Sequence, residues 1–444
     1  MKLEEFYNKK ILVIVPHQDD EINLAGSLIL SLARKADIYV LYTTMGNYLF
    51  DSTVRRKEAL EACKKLGVDS GHVIFLKYPD QPYDQKTHLY NEEGDWKDRS
   101  GKKYNKNELI FDVQDEIKKI SPDIILCVDL DFHSDHIMTS LCVEKAIGNI
   151  LSERGGYFPI VLKGFTYENA YHGPNDYNDE NEKGMYINYD TDGNSKSNAY
   201  FNKDNRIEII PSSGVTVRRL YRNKLYQAIK AHRSQLLVER AFRIMNPNLV
   251  FWKRETRNLI FEAKVEVSSG CANYLKDFLI NDTSNVLNGD RKEIIYDKAI
   301  WIPERSDTKK QINICFDSPR IVEKVNIFHG NNGENNLSKV ILKIDGEQQN
   351  LENRWRLSYM YFSKARSVKN IQITVLDERP RNGFSEIEIL PPITGGGKTM
   401  KLETFKGRKI SGAQRFLNSV INQSDILKVK ILRKICIRKW RRHE

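Results

Sequence analysis

No apolar run among the 444 residues approaches the roughly 20 that a membrane-spanning helix needs. The charged start, Met1-Lys2-Leu3-Glu4-Glu5, is followed by no signal-peptide core. Cysteine is scarce: Cys63, Cys127, Cys142, Cys271, Cys315 and Cys436 are scattered and form no CxxC pair. Three of them, Cys127, Cys142 and Cys315, sit in apolar runs, which favours reduced, buried thiols over a disulfide framework. Together these absences set the expectation of a cytoplasmic protein. The first strand pattern is not followed by GxGxxG, so the dinucleotide fingerprint is missing too. A basic surface is also lacking over most of the chain. The net charge is +11, but residues 394–444 hold 14 Lys and Arg against 3 Asp and Glu, and the first 393 residues are formally neutral. The basic balance therefore describes the tail alone, and nucleic acid is not an expected partner.

What is present is concentrated near the start. Ile11-Leu12-Val13-Ile14-Val15 reads as a parallel strand buried on both faces, and it runs into Pro16-His17-Gln18-Asp19-Asp20-Glu21. A helix-spaced stretch (Leu24, Leu28, Ile29, Leu32) follows, so the polar cluster belongs at the carboxyl end of a strand, where open α/β sheets bind ligands. His17 and Asp20 can offer one imidazole nitrogen and one carboxylate oxygen to a metal. A catalytic zinc site wants a third protein ligand and an open position. A second buried-strand pattern, Asp123 to Val128, leads into Asp131-Phe132-His133-Ser134-Asp135-His136, and the residues alone leave His133, Asp135 and His136 all open as that third ligand. Asp19 is left to act as a base on water.

These segments resemble the two signatures of the PIG-L/LmbE-like deacetylase family. Further likenesses lie in Thr44-Met45-Gly46, in Arg55-Arg56-Lys57-Glu58 with Leu66-Gly67-Val68, in Tyr78-Pro79-Asp80, and in Lys230-Ala231-His232-Arg233-Ser234-Gln235. The resemblance covers about residues 8 to 262. It implies a zinc-dependent hydrolase of linear amide bonds (another divalent transition metal would also serve). Its substrate would be N-acetylglucosamine in a glycolipid, glycoside or polysaccharide precursor, with acetate released. Carried onto this chain, it implies His17, Asp20 and His136 as metal ligands and Asp19 as general base. His133 would stabilise the oxyanion or protonate the leaving amine, and Asp135 would orient His133. Arg55 and Asp80 would hold sugar or aglycone hydroxyls. Gln18 departs from the family's proline; it is no ligand position, but the fixed φ of proline is lost.

Residues 1–262 are expected to form an α/β domain with a Rossmann-like, mostly parallel sheet. Tyr83 to Lys106 is a polar segment that reads either as a rim over the site or as a surface loop, and Asn175 to Asn205 is a second polar insertion. Arg218 to Arg243 reads as one helix with His232 and Gln235 on one face, more suited to holding that helix on the sheet than to catalysis. Residues 263–392 change to short alternating strands: Val265–Ser268, Gln311–Phe316, Val322–Phe328, Val340–Ile344, Ile371–Val375 and Glu386–Leu390. That pattern predicts a β-sandwich or jelly roll. Asn281-Asp282, Val286 to Asp290, Trp301-Ile302-Pro303 and Gly383 to Ile389 resemble a galactose-binding-like (F5/8 type C, discoidin) module, which implies a glycan as a partner. Trp301, Trp355, Tyr359 and Tyr361 could stack on sugar or fill the core. A Gly-rich linker opens residues 393–444, whose basic amphipathic helix, starting at Asp425 behind a Ser424 cap, fits an anionic membrane surface. That would make the protein peripheral at the inner face of a membrane. Two alternatives remain at this point. One is a glycan-binding or scaffolding protein with an inactive hydrolase domain, against which the complete His/Asp set argues, since unused buried charge costs stability. The other is the same hydrolase acting on a non-sugar amide.

Overall fold

The computed structural model describes all residues except 81–95, 98–102, 131–132, 154, 167–186, 190–194, 198–205, 210, 212–219, 246–248, 281–299, 331–336, 355–356, 378–382, 393–411 and 441–444. The expected segments Tyr83 to Lys106 and Asn175 to Asn205 therefore fall largely outside the described residues, apart from two short hairpins, Trp96–Lys97 with Lys103–Tyr104 and Ile187–Tyr189 with Ser195–Ser197.

The first sheet contains β1 (Lys10–Val15), β2 (Asp37–Thr44), β3 (Val73–Tyr78), β4 (Ile124–Val128), β5 (Ile160–Gly164), β6 (Arg206–Ile209) and β7 (Leu249–Arg254). Their order across the sheet is β6-β7-β5-β4-β1-β2-β3. β1 to β5 are parallel, and β6 and β7 close one edge antiparallel. The helices are α1 (Asp20–Leu32), α2 (Ser52–Leu66), α3 (Lys106–Ile120) and α4 (Ser134–Glu153). The two strands at the centre, β1 and β4, carry unbroken apolar runs because helices cover both faces: Ile11 to Val15 and Ile124 to Val128 are all buried. The sheet order turns back between β1 and β4. Both polar turns leave the sheet there, at the switch point where a crevice opens.

Local chemistry sets the helix ends. The Asp51 carboxylate accepts from the Thr53 amide at the start of α2, and Gly67, at φ +90°, closes it in the left-handed conformation. The single helix expected over 218–243 is instead broken. α5 (Lys224–Ala231) stops at His232, Leu236 adopts a left-handed conformation, and a 3-10 turn and the short α6 (Ala241–Ile244) follow. His232 and Gln235 lie in the break rather than on a shared helical face. The apolar stripe was real, but buried partners for His232 and Ser234 outweigh continuation of the helix.

A second, separate sheet begins at β8 (Lys264–Val267) and is antiparallel throughout. It continues with β9 (Gln311–His329), β10 (Val340–Ile344), β11 (Glu347–Gln349), β12 (Glu352–Arg354), β13 (Leu357–Val375) and β14 (Phe384–Leu390). Two expected strands, Gln311–Phe316 and Val322–Phe328, are one strand, β9. Register shifts between Cys315 and Arg320 and between Val322 and Lys324 let it bend without ending. Its first half pairs with β8 and its second with β14. Trp301 belongs to the core of this unit: it is fully buried, stacks on Phe384 and donates to the Ser269 carbonyl at 2.9 Å. It cannot stack on a glycan. Tyr359 is half-buried, Tyr361 is exposed, and Trp355 lies outside the described residues. Cys315 is exposed, contrary to expectation, because strand alternation turns Ile314 and Phe316 inward and the thiol outward.

The two units meet across a buried ionic network. Glu144 on α4 accepts from Lys163 at 2.5 Å and from Arg254 at 2.7 Å, and Arg254 also donates to the Phe278 carbonyl at 2.6 Å. Beside it, Lys145 pairs with Asp277 at 3.2 Å. Contact here is close enough that a Cβ on Gly148 would stand 2.3 Å from the Asp277 carbonyl oxygen.

The last helix, α7, spans Gly412–Trp440, starting a full 13 residues before Asp425, so Ser424 lies inside it and caps nothing. It packs against the first unit. The Tyr226 hydroxyl lies 3.0 Å from Asp425 Oδ2, Lys230 pairs with Asp425 at 2.8 Å, Lys430 with Glu239 at 2.7 Å, and Arg433 Nε donates to the Ser234 carbonyl at 2.9 Å. Among the described residues no helix is long and apolar enough to cross a membrane.

Removing Glu144 takes the nearest carboxylate from two buried cations, leaving Lys163 with Asp129 at 3.4 Å and Arg254 with the Phe278 carbonyl. Glu144→Ala is expected to lower stability by about 3–5 kcal/mol in urea unfolding of the full chain. A loss no larger than that of an exposed Glu→Ala control would remove the network from the account of how the units hold together.

Candidate metal centre and active site

The turn after β1 is tied down before any side chain reaches the crevice. Thr44, ending β2, donates to the Pro16 carbonyl through both its amide (3.1 Å) and its hydroxyl (2.9 Å). The His17 amide donates to Asp20 Oδ2 at 3.1 Å, and α1 starts at Asp20. The positive end of that helix favours carboxylates at Asp19 and Asp20. Gln18 is buried and donates from Nε2 to the Thr44 carbonyl at 2.7 Å. Its Oε1 takes the space above Gly46, where a Cβ would come within 2.0 Å of it. Gly46 has φ +62°, so only glycine meets both demands. A side-chain hydrogen bond thus fixes the loop that proline would fix through φ.

Three donor atoms converge from the two turns. His17 Nδ1 lies 3.0 Å from Asp20 Oδ2, His136 Nε2 lies 3.2 Å from the same oxygen, and the two nitrogens are 3.3 Å apart. The edge of a tetrahedron around zinc, with ligands at about 2.0–2.1 Å, is roughly 3.3–3.4 Å. The far sides of both rings are engaged: His17 Nε2 lies 3.0 Å from Asp135 Oδ2 and 3.3 Å from Asp80 Oδ1, and His136 Nδ1 lies 3.1 Å from Thr166 Oγ1. Protons on those far nitrogens leave two lone pairs and an anionic oxygen facing one another. Asp20 Oδ1 is buried with no hydrogen-bond partner. The donor set fits a divalent cation, and these three residues would hold it. One ligand atom each from His17, His133 and His136 also falls within 4.8 Å of the others, as it does for His17, Asp80 and Asp135.

Asp135 is placed differently from the expectation that it orients His133. Its carboxylate meets His17, and its backbone amide donates to His133 Nδ1 at 3.2 Å. A carboxylate on the outer nitrogen of a ligating imidazole fixes tautomer and orientation. His133 is half-buried, its ring edge-on to His17 at 4.7 Å. Arg55 and Asp80 are likewise committed inside the protein. Arg55 Nη2 donates to Asp19 Oδ1 at 3.0 Å and to the Gln18 carbonyl at 3.2 Å; Nη1 donates to the Gly46 carbonyl at 3.3 Å and reaches Asp80 Oδ2 at 3.5 Å.

The local fields follow from this packing. Burial pushes Asp19 up, Asp20 beside it adds to this, and Arg55, His232 and His17 oppose it; the net shift is upward. Burial also favours neutral Asp20, but His136 and His17 overcome it and hold the carboxyl well below its usual range. Burial lowers His17, yet Asp80, Asp135 and Asp20 raise it well above an ordinary histidine. Burial lowers His133, and the His17 and His136 charges lower it further.

Three supporting residues, Thr166, Glu21 and Glu58, were not singled out from sequence as parts of the site. Thr166 ends the stretch after β5, and only the rule that strand ends carry function points to it. Glu21, fully buried, accepts from His232 Nε2 at 2.7 Å. Glu58 accepts from the Ser234 amide at 3.0 Å and hydroxyl at 2.7 Å. The break thereby ties α1 to α2 through His232 and Ser234, whereas the expectation was that His232 and Gln235 hold the helix on the sheet.

Residues 12–147 match the family model PIG-L: GlcNAc-PI de-N-acetylase. The Bos taurus N-acetylglucosaminyl-phosphatidylinositol de-N-acetylase is 33% identical over 77 residues, which are 16% of this chain and 30% of that protein. The match thus spans under a third of that relative's length. Among solved structures, the N,N'-diacetylchitobiose deacetylase from Pyrococcus horikoshii is similar at 20% identity and a TM-score of 0.28, covering 37% of this chain and 63% of its own. CpGH89CBM32-6 of Clostridium perfringens is similar at 19% identity and a TM-score of 0.22, covering 30% of this chain and 99% of its own.

His136→Ala is expected to abolish binding of one divalent ion, and Asp135→Asn to weaken it about 10–100-fold, by metal analysis and competition titration. Because the His17 ring must lose its proton to bind and its pKa is raised, affinity should fall as pH drops through that raised value, about tenfold per unit for each proton displaced. Affinity independent of pH across the neutral range would exclude His17 as a ligand.

Proposed function

We propose that the protein is a zinc-dependent N-deacetylase that releases acetate from a GlcNAc-containing glycolipid, glycoside or polysaccharide precursor. One observation carries this reading: the triangle of His17 Nδ1, Asp20 Oδ2 and His136 Nε2, 3.0 to 3.3 Å on a side, with Asp19 in the same turn. It lies in a span that matches a GlcNAc-PI de-N-acetylase model. Zinc bound there would act as a Lewis acid and make water acidic near neutral pH.

The chain's own residues then divide the work. Arg55 holds Asp19 Oδ1, which leaves Oδ2 to take the proton of the attacking water. The raised pKa of Asp19 lets it keep that proton until the sugar amine departs, and then return it. His133 accepts a backbone hydrogen bond at Nδ1, so in its neutral form the proton is on Nε2. Its depressed pKa keeps it neutral at pH 7. A neutral Nε2–H suits an oxyanion donor better than an acid. Protonation of the amine therefore goes to Asp19. Arg55 acts here as a positioning residue. Its Nη1 and Nη2 donate to Asp19, Gln18, Gly46 and Asp80, and its Nε is buried, which disfavours a direct hold on sugar hydroxyls; Asp80 is also enclosed, with its side chain 6% exposed.

The second sheet is proposed as a galactose-binding-like module, with Tyr361 its outward aromatic residue. Unpaired thiols at Cys63, Cys127, Cys142, Cys271 and Cys315 accord with a cytoplasmic setting.

The test is acetate release from free, glycosidic and lipid-linked GlcNAc. Asp19→Asn should keep the metal and lose about 10²–10⁴ in kcat, and His133→Ala should lose a similar factor. Arg55→Lys should lower kcat more than it raises KM. Metal-loaded protein that cleaves a sugar-free acetamide as fast as every GlcNAc compound would shift the reading to a non-sugar amidase. A loaded protein that cleaves none of them would sink it.

A further inference from the structure

We propose that the outward face of α7 binds an anionic lipid surface. The helix is two-faced, and its faces are assigned against the usual rule. Its inward face buries polar groups: Asn418, Asn422 and Asp425, with Val429 below them. These meet Tyr226 and Lys230, and Arg433 reaches the Ser234 carbonyl. Its outward face carries Phe416 (73% exposed), Val420, Leu427 (61%) and Ile431, with Leu417 alongside. The spacings of four, seven and four residues put the first four of these in one line, about 22 Å long at 1.5 Å per residue. A helix packed for water alone would turn this line inward and its asparagines outward.

The charge beside the stripe selects the occupant. Lys428 and Lys434 are exposed near it, while Lys430 and Arg433 are used in docking. The sequence continues with Arg438, Lys439, Arg441 and Arg442, and residues 394–444 hold 14 Lys and Arg against 3 Asp and Glu. A second copy of α7 would set like charges against each other. A nucleic acid would answer the lysines and leave Phe416, Leu427 and Ile431 in water. An anionic bilayer surface supplies both partners, headgroups for the lysines and an acyl boundary for the stripe. The helix would lie on such a surface.

Docking fixes how the rest of the protein would sit. The Arg433 guanidinium stacks over Phe50 at 5.4 Å, and Phe50 precedes the cap of α2, whose first turn carries Arg55. A lipid-bound α7 thus holds the crevice at a set height above the surface. That such a height suits a lipid-linked sugar rests on the deacetylase reading; the binding itself does not.

The experiment is flotation of the full chain with vesicles of phosphatidylcholine alone or mixed with phosphatidylglycerol. The protein should float with the mixed vesicles only, and high salt should release it. Leu427→Ser with Ile431→Ser should weaken partitioning roughly tenfold or more. Lys428→Gln should weaken it roughly fivefold. Metal content and circular dichroism check that these outward substitutions leave the fold intact. Three results overturn the proposal: no binding to mixed vesicles, stripe variants that bind as well as the parent, or a dimer in solution that the stripe variants dissociate while no vesicle is bound. Binding is read without turnover, so its failure leaves the deacetylase reading standing, and failure of turnover leaves this one.

Discussion

Two imidazole lone pairs and a carboxylate oxygen, about 3 Å apart in a dry crevice, repel one another unless positive charge lies among them. The rest of the first unit serves that constraint. Asp80, Asp135 and Asp20 draw protons onto His17, raising it well above the range of an ordinary histidine against the effect of burial, and His136 and His17 hold Asp20 well below that of an ordinary acid. A cation of suitable size would replace those protons.

Holding such a triangle requires support from outside it, and the support comes in layers. Asp135 and Thr166 take the outer nitrogens of the two rings. Arg55 bridges Asp19 and Asp80, and is itself seated by the Gln18 and Gly46 carbonyls. Behind these, His232 and Ser234 clasp Glu21 and Glu58, so α1 and α2 cannot slide past each other without exposing buried charge. Every layer depends on the strand order turning back between β1 and β4, which brings two turns 118 residues apart in sequence to one point.

Much of this arrangement could be read from the residues. Strands buried on both faces are apolar without interruption, so Ile11–Val15 and Ile124–Val128 announced themselves, and strand ends told where His17 and His136 belong. What was hidden depended on pairing that no local pattern encodes. Asp135 could face either of two imidazoles, and only the packed turn sends it to His17. A bulge that bends β9 without ending it leaves the same alternation as two strands would. Trp301 is aromatic whether it meets sugar or Phe384. The amphipathic character of α7 was plain, but hydropathy cannot show that a buried Tyr226 would claim Asp425 and so decide which face looks out.

The glycine at position 148 has a practical meaning for anyone who wants a smaller version of this protein. α4 carries His136 near its start and, a few turns on, Glu144, Lys145 and Gly148, which are moulded to Arg254, Asp277 and the loop at Phe278. A chain cut after the last strand of the first sheet would leave that helix with charges facing solvent or one another, on the same rigid rod that carries His136 into the crevice. α7 adds a second tie, through Asp425 and Arg433, to the break that locks α1 and α2. The unit that holds the His/Asp cluster is thus bounded by what touches α4 and α5 in space. Trimming by sequence position would remove parts of it from both directions at once.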